Sequence, residues 1–239
     1  MDSFALITGA SRGIGKTLSY YFAEQGYSLI LISLHQNTLD KVKAEIQTKH
    51  PDVTIQTVSI DFSKPFEVSS KAQSIIEQYS TIDVLVNSAG VLFPGNTSLA
   101  VDKLSELINV NLISTITISN LVIEKMKKQG YGEVYTLGSM AGLEAVSKIA
   151  AYSATKAAIV SYSQSLYQEL TPLNIQVCCL CPSVVNTDMT NDGRISNDLK
   201  IETNDLASAI HFVRTLSTGA SMPIVPLRCK VIDLEKQPS

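Results

Sequence analysis

Short β-branched and apolar runs alternate with longer amphipathic or polar stretches along nearly the whole chain. The runs that read as strands are Phe4–Thr8, Ser28–Ser33, Val53–Ile60, Ile82–Asn87, Gly132–Gly138, Ile175–Leu180 and, more weakly, Pro223–Leu227. Helix-length segments lie between them near 13–25, 37–49, 65–79, 102–129, 150–171 and 204–216. Leu29–Ile30–Leu31–Ile32 is apolar at every position rather than at every second one, as a strand covered on both faces of a parallel sheet requires. Strand–helix–strand repetition predicts right-handed crossovers and an α/β fold, a Rossmann-type doubly wound sheet of about seven parallel strands flanked by helices. No internal repeat, low-complexity tract or Pro/Gly-rich linker interrupts the pattern, so residues 1–239 are expected to form a single domain.

Two segments set local propensity against period. Thr115–Ile116–Thr117–Ile118 alternates and is β-branched, which reads as strand. Leu104, Leu107, Ile108 and Leu112 set a helical spacing just before it, and the segment is too long for a strand, so a helix is expected. Residues 188–203 are polar, carry Gly193, and read as a loop with room for a short helix. Ligands of such folds bind beyond the C-terminal strand ends, which makes the segment near 183–203 a candidate substrate lid.

Composition narrows the classes. The 239 residues are 45% hydrophobic and 17% charged, with a net charge of −3. A chain of this size can bury a large core without a disulfide or metal staple, and disordered, collagen-like and secreted disulfide scaffolds are excluded. The only basic cluster, Lys125 to Lys128, reads as a helix C-terminus favoured by the macrodipole, so no nucleic-acid partner is expected. The first strand starts at Phe4, which leaves no room for a leader's basic and apolar regions. Leu107–Ile123 is uncharged but contains Asn109, Asn111 and Asn120, which argues against a membrane span. Cys178, Cys179 and Cys181 include a C-x-x-C, but Cys229 stands alone where zinc would need a second pair. Buried strand thiols, no metal site and a reducing cytoplasmic location are the expectation.

Two constellations carry candidate chemistry. Thr8-Gly9-Ala10-Ser11-Arg12-Gly13-Ile14-Gly15 follows the first strand and opens a helix. Glycines there let the backbone approach a diphosphate, whose charge suits a helix N-terminus, although a plain strand-to-helix turn would look similar. Tyr152 and Lys156 stand at i and i+4, on one face of a helix, so the ammonium can sit near the phenol. A solvated helix pair has the same spacing. Ser139 at the end of a predicted strand and Asn111 in the preceding helix add to the set.

Together these residues resemble the short-chain dehydrogenase/reductase family. The match runs from Thr8 to about Met189 and consists of ordered motifs: the glycine segment, Asp61, Asn87-Ser88-Ala89-Gly90, Asn111 in Asn-Val-Asn-Leu, Ser139 in Gly-Ser-Met-Ala-Gly, Tyr152 with Lys156, and Pro182 through Thr187. The resemblance implies NAD(P)-dependent interconversion of a carbonyl and a secondary alcohol. It makes Tyr152 the general acid in reduction and the base in oxidation, and gives Lys156 the tasks of lowering the phenol pKa and holding the nicotinamide ribose. Ser139 would hydrogen-bond the substrate oxygen where charge develops, and Asn111 would hold a water on a proton path from Lys156. One ammonium at ~4 Å supplies ~4 kcal/mol at an effective dielectric of ~20, enough in principle for a shift of two to three pKa units, ~3–4 kcal/mol.

The resemblance also assigns the cofactor side. Gly9, Ser11, Arg12, Gly13, Ile14 and Gly15 would line diphosphate and adenosine, and Asp61 would accept from the adenine amino group unless it is only a turn or N-cap carboxylate. Asn87 and Ala89 would lie along the ribose, and Pro182, Val185 and Thr187 beside the nicotinamide. Strand two ends in Ser33-Leu34-His35 with no carboxylate, where an acidic residue would bind the ribose 2′-OH and repel a 2′-phosphate. That absence and Arg12 favour NADP(H), with NAD(H) possible; His35 reads equally as an exposed loop imidazole. Ser88 and Ser183 depart from the family's usual Asn and Gly. The segment after Thr218-Gly219 lacks the Asp-Gly-Gly typical of 3-oxoacyl-carrier-protein reductases and looks more like the branch acting on small 3-hydroxy acids, serine-like substrates or pterins. The alternatives are such a carrier-protein reductase and a non-catalytic NADP-sensing regulator, against which the intact Asn111, Ser139, Tyr152 and Lys156 set argues. Family resemblance further implies a homodimer or homotetramer through the helices at 102–129 and 150–171.

Overall fold

The computed structural model describes residues 3–235. Its strands are β1 (Phe4–Thr8), β2 (Ser28–Ser33), β3 (Ile55–Ser59), β4 (Val84–Asn87), β5 (Gly132–Leu137), β6 (Ile175–Pro182) and β7 (Ile224–Leu227). All are parallel, in the order β3-β2-β1-β4-β5-β6-β7. The chain winds outward in one direction from β1 to β3, then crosses back to β4. The crevice beyond β1 and β4 is therefore the switch point at which such sheets bind ligands.

The helices are α1 (Gly13–Glu24), α2 (Gln36–Lys49), α3 (Pro65–Ile76), α4 (Val101–Ile108), α5 (Thr115–Gln129), α6 (Met140–Leu143), α7 (Ala150–Leu170), α8 (Thr203–Arg214) and α9 (Lys230–Glu235). Successive strand residues enter opposite cores, because side chains alternate across a sheet. Leu29 and Leu31 join α1, α2 and α8 on one face, while Ile30 and Ile32 join α3, α5 and the end of α7 on the other. This accounts for the uninterrupted apolar run in strand two. Thr115–Ile118 is helical as the longer period required, and α5 ends at Gly130 in the left-handed conformation with Lys127 and Lys128 in its last turn.

Several boundaries differ from the sequence reading for local reasons. The fourth strand starts at Val84, not Ile82, because the main chain of Ile82 is paired by the Gln129 side-chain amide rather than by a neighbouring strand. The third is trimmed to Ile55–Ser59, and α3 ends at Ile76 rather than near 79. The sixth strand extends to Pro182, because β7 continues the ladder to Cys181 and Pro182. Between α4 and α5 the backbone widens into a π turn, Asn109–Ser114, and the four-residue α6 and the short α9 are too brief for hydrophobic periodicity to show. Residues 188–203 carry two single-turn 3-10 helices, Asp188–Thr190 and Asn197–Leu199, and a bridge from Val185 to Ile201.

By length and composition the helical stretch Val101–Gln129 could cross a bilayer. Half of its most apolar window is buried, and its asparagines are paired within the fold: Asn109 donates to the Ser63 carbonyl, and Asn120 accepts from Tyr162. All four cysteines are buried free thiols, three of them on β6.

Candidate active site

At the end of β1 the backbone turns through Gly9 and Gly13, both at positive φ (64° and 53°). A Cβ on Gly9 would stand 2.8 Å from the Ala89 nitrogen, and one on Gly15 2.3 Å from the Gly9 carbonyl oxygen. Any side chain there would fill the cradle between the first and fourth strands. Thr8 fastens the two sides by accepting through Oγ1 from the Ser88 and Ala89 N–H groups, both at 3.1 Å. The N-terminus of α1 has no side-chain cap and no acidic residue in its first turn, which leaves its N–H groups available to an anion. This cradle fits a dinucleotide diphosphate.

Around it the other nucleotide candidates take different positions. Ser11 and Ser33 share a 2.8 Å hydroxyl contact. Arg12 is exposed and paired with Asp188 at 3.4 Å, and the Thr187 methyl lies 3.2 Å from where a Gly13 Cβ would be. The segment after β6 therefore flanks the glycine turn. Ile14 packs on the α1-side core, and Val185 is buried beside Ile201. Asp61 spends one oxygen on the Ser63 N–H and hydroxyl and faces Lys64 at 3.4 Å with the other, and these partners hold its carboxyl below the usual range despite partial burial. Its visible task is a turn. The Asn87 side-chain nitrogen donates to Ser119 and Thr136 inside the fold, while its Oδ1 is buried without a partner.

Four elements bring the catalytic candidates together. Ser139 caps α6, accepting from the Ala141 N–H at 3.1 Å, with the Pro182 carbonyl 3.5 Å from its hydroxyl. Tyr152 and Lys156 stand one turn apart on α7, with Nζ 5.8 Å from the phenol ring centroid. The Ser139 hydroxyl acts on the Tyr152 phenol, pulling its pKa down. Lys156 donates to the Leu137 carbonyl at 2.7 Å and lies 3.9 Å from where a Gly90 Cβ would be. Asn111 sits in the π turn, accepts from the Val91 N–H and donates to the Val91 carbonyl and Thr155 hydroxyl. Its side chain thus braces the Gly90–Val91 backbone against α7.

Electrostatically, burial dominates both members of the pair. It raises the Tyr152 phenol, against a smaller downward pull from the Ser139 hydrogen bond. Burial also lowers Lys156 to about 8, opposed by the Cys179 and Cys181 thiols. Desolvation thus penalises both charged forms, and in this arrangement the ammonium is bonded to the Leu137 carbonyl.

Residues 3–197 match the short chain dehydrogenase family. The chain belongs to that family. It is thereby an NAD(P)-dependent oxidoreductase. It is 28% identical over 228 residues to an uncharacterized oxidoreductase of Staphylococcus epidermidis, covering 95% of this chain and 97% of that protein. A β-ketoacyl-carrier-protein reductase structure from Bacteroides thetaiotaomicron is 30% identical, with a TM-score of 0.84 and coverage of 98% and 99%. A short-chain dehydrogenase from Sphingobium yanoikuyae in complex with NADPH shares the fold at 24% identity, with a TM-score of 0.82 and coverage of 98% and 92%.

Within this short-chain dehydrogenase the structure gives tasks to residues to which the motifs assigned none, among them Gly142, which closes the Gly-Ser-Met-Ala-Gly motif. A Cβ on Gly142 would meet the Lys156 carbonyl carbon at 2.6 Å and its oxygen at 2.7 Å. Only glycine lets α6 approach α7 closely enough to set Ser139 against Tyr152. Gly142→Ala is expected to cut turnover at least about tenfold, since a small misplacement of reacting groups is costly. Steady-state kinetics beside a circular-dichroism melt checks this, with the larger loss in kcat rather than in folding. Leu137, whose carbonyl takes the ammonium, and Thr155, which supports Asn111, are invisible to motif reading because one acts through its backbone and the other through a second partner.

Proposed function

We propose that the chain catalyses NADP(H)-dependent interconversion of a carbonyl and a secondary alcohol, with Tyr152 as general acid in reduction and general base in oxidation. The observation that carries this reading is the convergence of the Tyr152 hydroxyl, Ser139 and the Lys156 ammonium beside Gly90, at the C-terminal mouth of the sheet next to the glycine cradle. Bound in the cradle, the nicotinamide cofactor supplies the hydride for reduction or accepts it in oxidation. Ser139 donates to the carbonyl oxygen as negative charge develops there. Tyr152 delivers its proton to that oxygen, and the charged Lys156 stabilises the phenolate left behind. Asn111 and Gly142 hold the set in register. The segment near 183–203, in contact with the glycine turn, orders the substrate against this pair.

Preference for NADP(H) rests on Arg12, on the Ser11 and Ser33 hydroxyls, and on the lack of a carboxylate closing β2. The Arg12–Asp188 pair is exposed and weak, so a 2′-phosphate, which accepts charge-assisted bonds, displaces Asp188 readily. The NADPH held by the Sphingobium yanoikuyae enzyme is consistent with this choice. Arg12→Ala is expected to raise the KM for NADPH about tenfold and to leave that for NADH nearly unchanged, for the loss of one charge-assisted contact. Carbonyl-dependent oxidation of NADPH and NADH by the purified chain tests both proposals: no turnover with any carbonyl would reject the reductase, and equal use of the two cofactors would reject the preference. We further place the chain in the cytoplasm as one domain that assembles into a homodimer or homotetramer through the outer faces of α4, α5 and α7.

A further inference from the structure

The walls around the Tyr152 phenol are apolar. Leu107 and Ala141 pack against it, and Val91, Leu92, Phe93 and Ile149, each only partly buried, pack against that cluster. Farther out, Leu143 at the end of α6, Val146 just beyond it, and Met189 and Leu199 in the 183–203 segment are exposed large apolar side chains. The two segments that border the site thus each carry exposed apolar side chains in addition to the apolar wall at the reacting hydroxyl.

Several polar and charged groups of the same segments are engaged within the fold. Asn96 accepts from the Ala150 N–H, and Ser153 from the Val146 N–H. Arg228 is held by Glu144 and Asp233, Arg194 by Asp192, and the buried Lys200 donates to the Thr190 carbonyl and to Asn197. Lys148 is exposed at the surface. Among the described residues of these segments, no buried cation is left over for an anionic substrate. A carboxylate, phosphate or polyol pressed against this wall would lose water without gaining partners. A site built to accept such groups instead carries placed polar contacts for them.

Resting on the reductase reading above, we infer that the substrate is a neutral, predominantly apolar ketone. A small keto acid and a sugar are disfavoured. Leu143, Val146, Met189 and Leu199 take up its apolar body, while Ser139 and Tyr152 take its carbonyl oxygen.

The test is the NADPH-dependent reduction, by the full chain, of a homologous series of linear methyl ketones and of the same ketones bearing a terminal carboxylate. Turnover of neutral ketones is expected to rise in kcat/KM roughly two- to fourfold per added methylene until the wall is filled, as burial of apolar surface requires. Each carboxylate should be at least about tenfold poorer than its neutral partner for want of a charge partner. Leu143→Ser should flatten the chain-length dependence by raising KM for the longer ketones. Faster reduction of the carboxylates, with that advantage lost in Lys148→Gln, would overturn the inference and leave the reductase intact. Rates independent of chain length would also overturn it, and a light-scattering mass that falls in Leu143→Ser would then assign these residues to contact between two copies. Silence from every carbonyl would reject the reductase reading and this inference with it.

Discussion

Tyr152→Phe is expected to abolish most carbonyl reduction, lowering kcat/KM by about a thousandfold, within the range measured for loss of a positioned general acid. The substitution removes one oxygen from a ring that is otherwise packed in an apolar cluster with Leu107 and Ala141, so the ring's packing is kept. The Ser139 hydroxyl loses a partner but keeps the Ala141 N–H and the Pro182 carbonyl within reach. Cofactor affinity should change by no more than a few-fold, because the glycine cradle lies on other elements. The measurement pairs NADPH oxidation in the presence of carbonyl with NADPH binding by fluorescence. Retained turnover would move the proton source elsewhere, and loss of both signals would indicate a folding failure, which a thermal melt identifies.

Lys156→Met should have opposite effects on activity and stability. Burial lowers the Lys156 pKa to about 8, so at neutral pH the fold holds a desolvated ammonium that the unfolded chain would carry in water. Replacing it by an apolar side chain of similar length removes that penalty. The Leu137 carbonyl loses its donor, which returns part of the gain. A net stabilisation of about 1–2 kcal/mol is expected, raising Tm by several degrees for a chain of this size. Reduction should meanwhile fall by about a hundredfold or more, since nothing then compensates the phenolate.

The pH dependence follows with a definite sign. The unfolded lysine binds its proton more tightly than the folded one, so this residue's contribution to stability rises as pH climbs from about 8 toward the ordinary lysine range. That rise should be missing from Lys156→Met, which a comparison of melts across the window would show. In the parent chain, kcat/KM for reduction should decline above about pH 8 as the ammonium discharges. An unchanged alkaline limb in Lys156→Met, in whatever activity remains, would assign that limb to another group.

Sequence alone carried far because several features are local. The period of apolar positions distinguished β2 from α5, even where Thr115–Ile118 favoured the strand by propensity, since a repeat along the chain shows which faces must be buried. The order of the glycine turn, Ser139, Tyr152 and Lys156 was legible because strand-end turns and i,i+4 helix neighbours place residues by geometry intrinsic to the element. Family resemblance supplied roles for those positions, and the match over residues 3–197 fixed the family.

What depends on the third dimension was not legible there. That the Asn87 amide reaches Ser119 and that Asn111 braces the Val91 backbone is decided by which helix packs over which strand end. The π turn that presents Asn111, and the contact that forbids a Cβ at Gly142, arise only when α6 and the α4–α5 stretch are pressed against α7. The balance between Lys156 and Tyr152 is likewise a property of burial: adjacency on a helix brings the charges near each other, but desolvation by the surrounding elements sets the direction in which each proton moves.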